Sequence, residues 1–467
     1  MSSRSSCASP HPVDERLPLA KLILFGLQHV LVVAASPITA VFLVSKALGL
    51  SSALTVDLIS ATFLVCGLGT LVQSFGVWRF GARMPFVMVP GGAPVVMFVI
   101  IAQQTNLRTA AGAVLMSALC YVLILPVFKR CLKYFPRIVI GSILILVAAN
   151  LIKIYGTVIV GQPGTPGFGS QLNVGLALAT IAFTVAFAKI FKGMAGQLAV
   201  LLGLLAGTVL GAVIGVMKFG SVFHGAVLAV PTPLPFGMPH FDIVAALPLI
   251  IFSITSMAEA TGQTIAIAEV VGRKIDAHDA VPRTIRGDAL MSFIGGLFGT
   301  SLIITSSENI GIVEATGVRS RYVTASAGVL LVLIALCAPL ARLADAIPAP
   351  VVGGTALIVF SIIGVMGISL LHDVDLRSRA NMYTLASALT MGLLPVVVPG
   401  VYAHFPKTLQ IVLNNGLAMG ALTAVLVNIV FHHLNLRRPT RSVASTKAIE
   451  AGLRTTAHDD EAAPSVR

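Results

Sequence analysis

Continuous apolar runs of membrane-spanning length recur along this chain from Leu19 to about Leu434, and no other feature restricts its fold so strongly. A helix that crosses the hydrocarbon core of a bilayer needs ~20 mostly apolar residues. Runs such as GSILILVAANLI and LAVLLGLLAGTVLGAVIGV are of this kind and do not alternate, whereas barrel strands would show alternating segments of about 10 residues. Inside lipid every backbone N–H and C=O must find its partner within the protein, which a helix achieves alone. Composition agrees: 10% of the residues are charged and 56% hydrophobic, against about 25% charged in a soluble globular chain. The fold class is an all-α polytopic membrane protein.

Fourteen apolar segments can be counted, centred near residues 28, 62, 94, 118, 145, 181, 206, 256, 291, 309, 332, 360, 389 and 421. With the N-terminus inside, 25 of the 31 Lys and Arg residues fall in the tails and inner loops, as the cytoplasmic bias of basic residues requires. The other six, Lys46, Arg108, Lys153, Lys218, Arg342 and Lys407, lie one apiece at outer ends. The net charge of +13 is thus a topology signal and not a nucleic-acid footprint. The expected location is a bacterial-type inner (plasma) membrane, with both termini cytoplasmic. Polar residues 1–18 read as a cytoplasmic tail without a removable signal, because the apolar run continues past VVAASP. Cysteines 7, 66, 120, 131 and 337 are scattered and odd in number, which suits neither a disulfide framework nor a metal cluster.

Two segments are poor membrane spans. The third, MPFVMVPGGAPVVMFVII from Met84, is rich in Pro and Gly, and the tenth, around TSSENIG, is short and polar. In a chain of two seven-segment halves both are third in their half, and an odd number of crossings makes the halves inverted. Interrupted segments at matching positions of inverted repeats point to a transporter's binding site. PFVMVP and SLIIT read as short strands in segments 3 and 10, each leading into a helix start. Ser306 or Ser307 can cap the helix beginning near Glu308, and Gly91 and Gly92 allow a tight bend before the other. Two half-helix N-termini then meet near the bilayer midplane with N–H groups free for a ligand.

Glu259, in SITSMAEATGQTIAIAE, sits mid-way along the eighth segment, and Glu308 opens the tenth. An acid at membrane depth is costly and marks function by default, and no basic residue lies in the same spans to pair with either. Glu269 and Asp288 lie near inner ends, within reach of Arg273 and Arg286, so Asp288 is read as structural or gating. Glu314 reads as a solvated partner of Arg319. Gln28 and His29 interrupt the first span, either as interhelical hydrogen bonders or as a brace or proton relay for the site. Asn309 can cap or donate between helices, and Thr305 can satisfy backbone.

These residues carry a resemblance. ENIGIVEATG, Glu308 to Gly317, fits the signature of the nucleobase-ascorbate transporter family, also called nucleobase:cation symporter-2. LQHV in the first span looks like that family's Gln-His motif, and AEATG resembles its acidic motif in the eighth segment. The resemblance covers Leu19 to Leu434. It implies two inverted repeats, a core domain from residues 19–134 and 240–345, a gate domain from 135–239 and 346–435, tails at 1–18 and 436–467, and homodimers in lipid. It also implies uptake of a nucleobase by proton or sodium symport, with alternating access between core and gate and no further cofactor. By position, Glu259 and Glu308 would hold the base, Ser307 would contact it through its backbone, with Gly92 and Asn309 beside it. His29 and Gln28 would support the site, and Asp288 would serve core-gate coupling.

The chemistry of such a ligand is compatible. Xanthine, urate and uracil are flat amides with alternating N–H donors and carbonyls; carboxylates accept the first and helix N-termini meet the second. A carboxyl group there can carry a proton inward and release it where the site becomes wet. Two departures from the family pattern stand out. Gln263 occupies a position that is titratable in many relatives, so coupling must rest on Glu259, Glu308 or His29, and sodium stays open. Gly92 stands where a phenylalanine usually stacks on the base, so Phe86 or Phe98 would have to stack, or the pocket is wider. A wider pocket favours an oxidised purine of the xanthine or urate type over uracil. Other readings are an anion carrier of like architecture, which two acids would oppose, an intramembrane enzyme, for which no catalytic constellation is found, and a passive channel.

Overall fold

The computed structural model of the chain describes residues 11–131, 134, 136–161, 167–192, 196, 198–217, 227–228, 230–306, 308–372 and 374–432. Helices α1 (Leu19–Val33) and α2 (Ala35–Leu48) follow one another through a bend at Ala34 and together make the first long apolar element. Pro37 explains the bend, because it has no N–H for the carbonyl four residues earlier, that of Val33. Next come α3 (Ser52–Phe75), strand β1 (Met88–Pro90), α4 (Gly92–Gln104), α5 (Leu107–Cys131), α6 (Arg137–Val160), α7 (Gln171–Ile190) and α8 (Ala199–Val213). The second half runs through α9 (Ile243–Val271), α10 (Ala277–Leu297), strand β2 (Ile303–Thr305), α11 (Glu308–Thr316) and α12 (Arg321–Leu336). It ends with α13 (Ala338–Asp345), α14 (Ala349–His372), α15 (Arg379–Val397), α16 (Lys407–Leu413) and α17 (Gly416–His432).

Eight described helical elements are long and apolar enough to cross a membrane, and four shorter ones, α4, α8, α12 and α17, are apolar. The chain is a multi-pass membrane protein. Helix ends follow local chemistry. Asp242 caps α9 by accepting from Val244 N at 2.8 Å and Ala245 N at 3.2 Å, and Gly272 closes it in a left-handed conformation. Asp276 caps α10 at His278 N, 2.8 Å away.

Small residues set the closest helix crossings. A Cβ on Gly67 of α3 would lie 2.8 Å from the carbonyl oxygen of Gly328 in α12, and one on Gly328 would lie 2.9 Å from that of Gly67. Helices α6 and α14 meet the same way at Gly141 and Gly367, at 3.0 and 2.9 Å. In a bilayer, where apolar burial gives little drive for helix association, such close backbone approach supplies the packing.

Residues 12–15 of the N-terminal segment are docked against the helices. Val13, in a short turn at Pro12–Asp14, is fully buried among Met84, Phe86, Ile267, Val271 and Val313. Arg321 Nε bonds Asp14 Oδ1 at 2.6 Å, and Ser320 Oγ donates to the Glu15 carbonyl at 2.6 Å.

Candidate functional site

Strands β1 and β2 pair antiparallel, with Met88 opposite Thr305, Val89 opposite Ile304 and Pro90 opposite Ile303. Backbone bonds extend the pairing: Ser306 N to Val87 O at 2.9 Å, and Gly91 N to Leu302 O at 3.0 Å. The two interrupted segments are therefore joined to each other through their extended pieces. Each strand leads into a short helix, α4 after β1 and α11 after β2. No side chain caps α4, whose N-cap is Gly91, so the first turn keeps N–H groups without side-chain acceptors.

Glu308 is the first residue of α11. Ser307 lies outside the described residues. Helix α9, which carries Glu259, packs against α11, and so does α1. Glu259 is half-buried, and its Oε1 accepts from Gln263 Nε2 at 3.1 Å. Gln263 therefore acts as a fixed donor that orients the carboxylate, one helical turn away on the same face. His29 lies beside Asn309, joining α1 to α11. Asn309 is fully buried and its amide donates to the Pro85 carbonyl, which ties α11 to the chain entering β1.

Two buried polar atoms near these elements, Gln28 Nε2 and Thr255 Oγ1, have no hydrogen-bond partner. Buried polar groups are ordinarily satisfied, so these atoms on α1 and α9 are free to meet a polar ligand or water. Among the described residues no cluster of His, Cys, Asp and Glu is arranged to hold a metal ion.

Asp288 differs from its expected surroundings. It is 1% exposed, and its Oδ1 accepts from Thr305 Oγ1 at 2.7 Å and from Gln73 Nε2 at 3.1 Å. Gln73 also donates to the Thr284 carbonyl at 3.0 Å and accepts from Ala82 N at 3.2 Å. Arg286, two residues away on a helix, faces another direction. Its hydrogen-bond partners among the described residues lie in α3 and β2, so its geometry is that of a brace that holds β2 to α3 and α10. Thr305 likewise acts through its side chain, not as a backbone satisfier. Gln73 carried no expectation; a lone amide near the end of an otherwise apolar helix was its only signal. Glu269 and Glu314 are exposed.

The stacking ring also needs correction. Phe86 and Phe98 are both fully buried in apolar clusters, Phe86 around Val13 and Phe98 against Phe236. The space beside Gly92 is not open either, since a Cβ there would lie 2.5 Å from Phe360 Cε1 and 3.5 Å from Leu151 Cδ1. Phe360, on α14, stacks on Tyr155 of α6 with ring centroids 5.2 Å apart, and Tyr155 donates to the Thr39 carbonyl at 2.9 Å. The ring next to the third segment thus comes from helices assigned to the gate. Gly92→Phe is accordingly predicted to lower uptake of every base by about 5- to 150-fold, as overpacking costs of about 1–3 kcal/mol imply. Adding Phe360→Ala should restore much of the loss. Normal uptake by the single variant would show that Phe360 does not close the space beside Gly92.

Residues 20–401 match the sequence profile of a family described as the Permease family. The chain is 31% identical to the uric acid transporter UacT of Escherichia coli, with 92% of each protein covered. It is also 31% identical to the uric acid permease PucK of Bacillus subtilis, over 88% of this chain and 95% of that one. The chain belongs to the nucleobase-ascorbate transporter family. As a family member it is a permease and not an enzyme. The xanthine permease of Bacillus subtilis is 28% identical over 88% of this chain. Among solved structures, the transmembrane domain of a cyanobacterial bicarbonate transporter, BicA, matches 89% of the chain with a TM-score of 0.57 and 16% identity. Murine Solute Carrier 26 family member A9, an anion transporter in the inward-facing state, matches 92% with a TM-score of 0.61 and 14% identity. At those identities the likeness concerns the fold.

Proposed function

We propose that this permease imports an oxidised purine, of the xanthine or urate type, by proton symport through alternating access between core and gate. One observation carries the reading: the helix bearing Glu259 packs on the helix that Glu308 opens, beside orphaned polar groups and two strand-led helix starts. Relatives named for uric acid and xanthine support the purine choice. In the full proposal the chain has fourteen segments in two inverted repeats, forms homodimers in the inner membrane and keeps both termini in the cytoplasm. Glu259 and Glu308 accept ring N–H groups, and the helix starts meet the carbonyls. Either acid can also carry the coupled proton.

Radiolabelled xanthine uptake in a cell lacking nucleobase transport tests this, with uracil, urate, guanine, hypoxanthine and ascorbate as competitors. Urate and xanthine should compete at least ~10-fold better than uracil, the discrimination that a few buried hydrogen bonds supply. Accumulation should stop when the proton gradient collapses. Persistence under an ionophore with a need for sodium would move the coupling ion, and preferential block by uracil would overturn the purine assignment.

A further inference from the structure

Two of the six basic residues at outer ends, Lys46 and Lys153, converge on one cavity of about 640 Å³ although they are far apart in the chain. The cavity lies between the end of α2, α4, α6 and the end of α15, and Gln103, Gln104, Asn150 and Asn414 also line it. No acidic residue is among its lining residues. Neither lysine has a carboxylate partner among the described residues. Lys153 Nζ donates to the Val396 carbonyl at 2.9 Å, and Lys46 Nζ sits 5.5 Å from the centre of the Phe42 ring. These contacts hold the two ammonium groups at the cavity without neutralising them.

A cleft of one sign of charge between low-dielectric walls focuses the field and raises the local concentration of the opposite ion. Its volume falls in the range of small-molecule sites. Lys46 and the glutamines stand on elements assigned to the core, Lys153 and Asn150 on elements assigned to the gate, so the cavity opens where the two would separate.

We propose that this cavity is an outer vestibule that concentrates oxopurine monoanions, urate in particular, on the way to the midplane site. The proposal rests on the base-transport reading above and deepens it. Urate is a monoanion at neutral pH, so it meets repulsion from any ionised carboxylate further in. Two unneutralised lysines at the entrance offset that repulsion. Hypoxanthine, similar in shape but neutral, gains nothing from them.

The experiment uses the full chain in cells lacking nucleobase uptake and measures initial rates for urate and hypoxanthine at pH 7, at low and high ionic strength. The variants are Lys46→Gln with Lys153→Gln, and Lys46→Arg with Lys153→Arg as the charge-keeping control. The Gln pair should raise KM for urate about five- to tenfold while moving that for hypoxanthine less than about twofold. The urate KM of the unaltered protein should rise with salt, that of the Gln pair should not, and the Arg pair should behave as the parent. Equal shifts for both bases, or an unchanged urate KM with its salt dependence intact, would overturn the vestibule alone. Failure of the unaltered protein to take up either base would remove the base-transport reading, and this proposal with it.

Discussion

Glu259→Gln is expected to cut purine uptake by roughly 5- to 10-fold while the protein reaches the membrane in unchanged amount. The estimate follows from the difference between a hydrogen bond to a charged acceptor, about 1.5–3 kcal/mol, and one to a neutral acceptor. Folding should survive, because the glutamine carbonyl can still accept from Gln263 Nε2, which now bonds Glu259 Oε1 at 3.1 Å. What is lost is the negative charge, which in the proposed function grips ring N–H groups and holds the coupled proton. Glu308→Gln should behave alike, since the acid opens α11. Radiolabelled uptake set against surface labelling separates the two quantities. Normal transport by both variants would reject the site.

Much of this was legible in the sequence because lipid leaves few choices. The long apolar runs became helices, and the Pro- and Gly-rich third segment and the polar tenth became extended pieces leading into helices α4 and α11. What escaped the sequence depends on contacts between distant residues. Arg286 is near Asp288 in the chain, yet residues two apart on a helix do not face each other, and the true partners, Gln73 and Thr305, come from other elements. Gly92 suggested room for a ligand, but Phe360 fills that space from α14. Val13 is a single apolar residue in PHPVDER, and nothing local says that Met84, Phe86 and Val271 will bury it.

The fold alone does not choose the cargo. The bicarbonate and anion transporters that share it are 16% and 14% identical to this chain, and one fold hosts many functions. An anion needs only N–H groups and positive dipole ends, whereas an imide presents N–H donors as well as carbonyls and so needs acceptors too. In the function proposed above those acceptors are Glu259, mid-way along α9, and Glu308, the first residue of α11.

Asp288→Ala is expected to lower stability by about 2–4 kcal/mol, because the Thr305 hydroxyl and one proton of Gln73 lose a shared buried acceptor. Asp288→Asn should be far milder. Both side-chain bonds go to Oδ1, at 2.7 Å from Thr305 Oγ1 and 3.1 Å from Gln73 Nε2, and an amide oxygen can accept both. Melting of the detergent-solubilised protein, followed by size-exclusion profile against temperature, gives the ranking. Uptake adds a second reading: Thr305 ends β2, and β2 sets where α11 begins, so the Ala variant should lose transport even in the fraction that reaches the membrane. If the Asn variant is stable but inactive, the charge of Asp288 serves the transport cycle and the residue is more than a brace. If the Ala variant melts with the parent, the three-residue link between α3, α10 and β2 does not hold the site together.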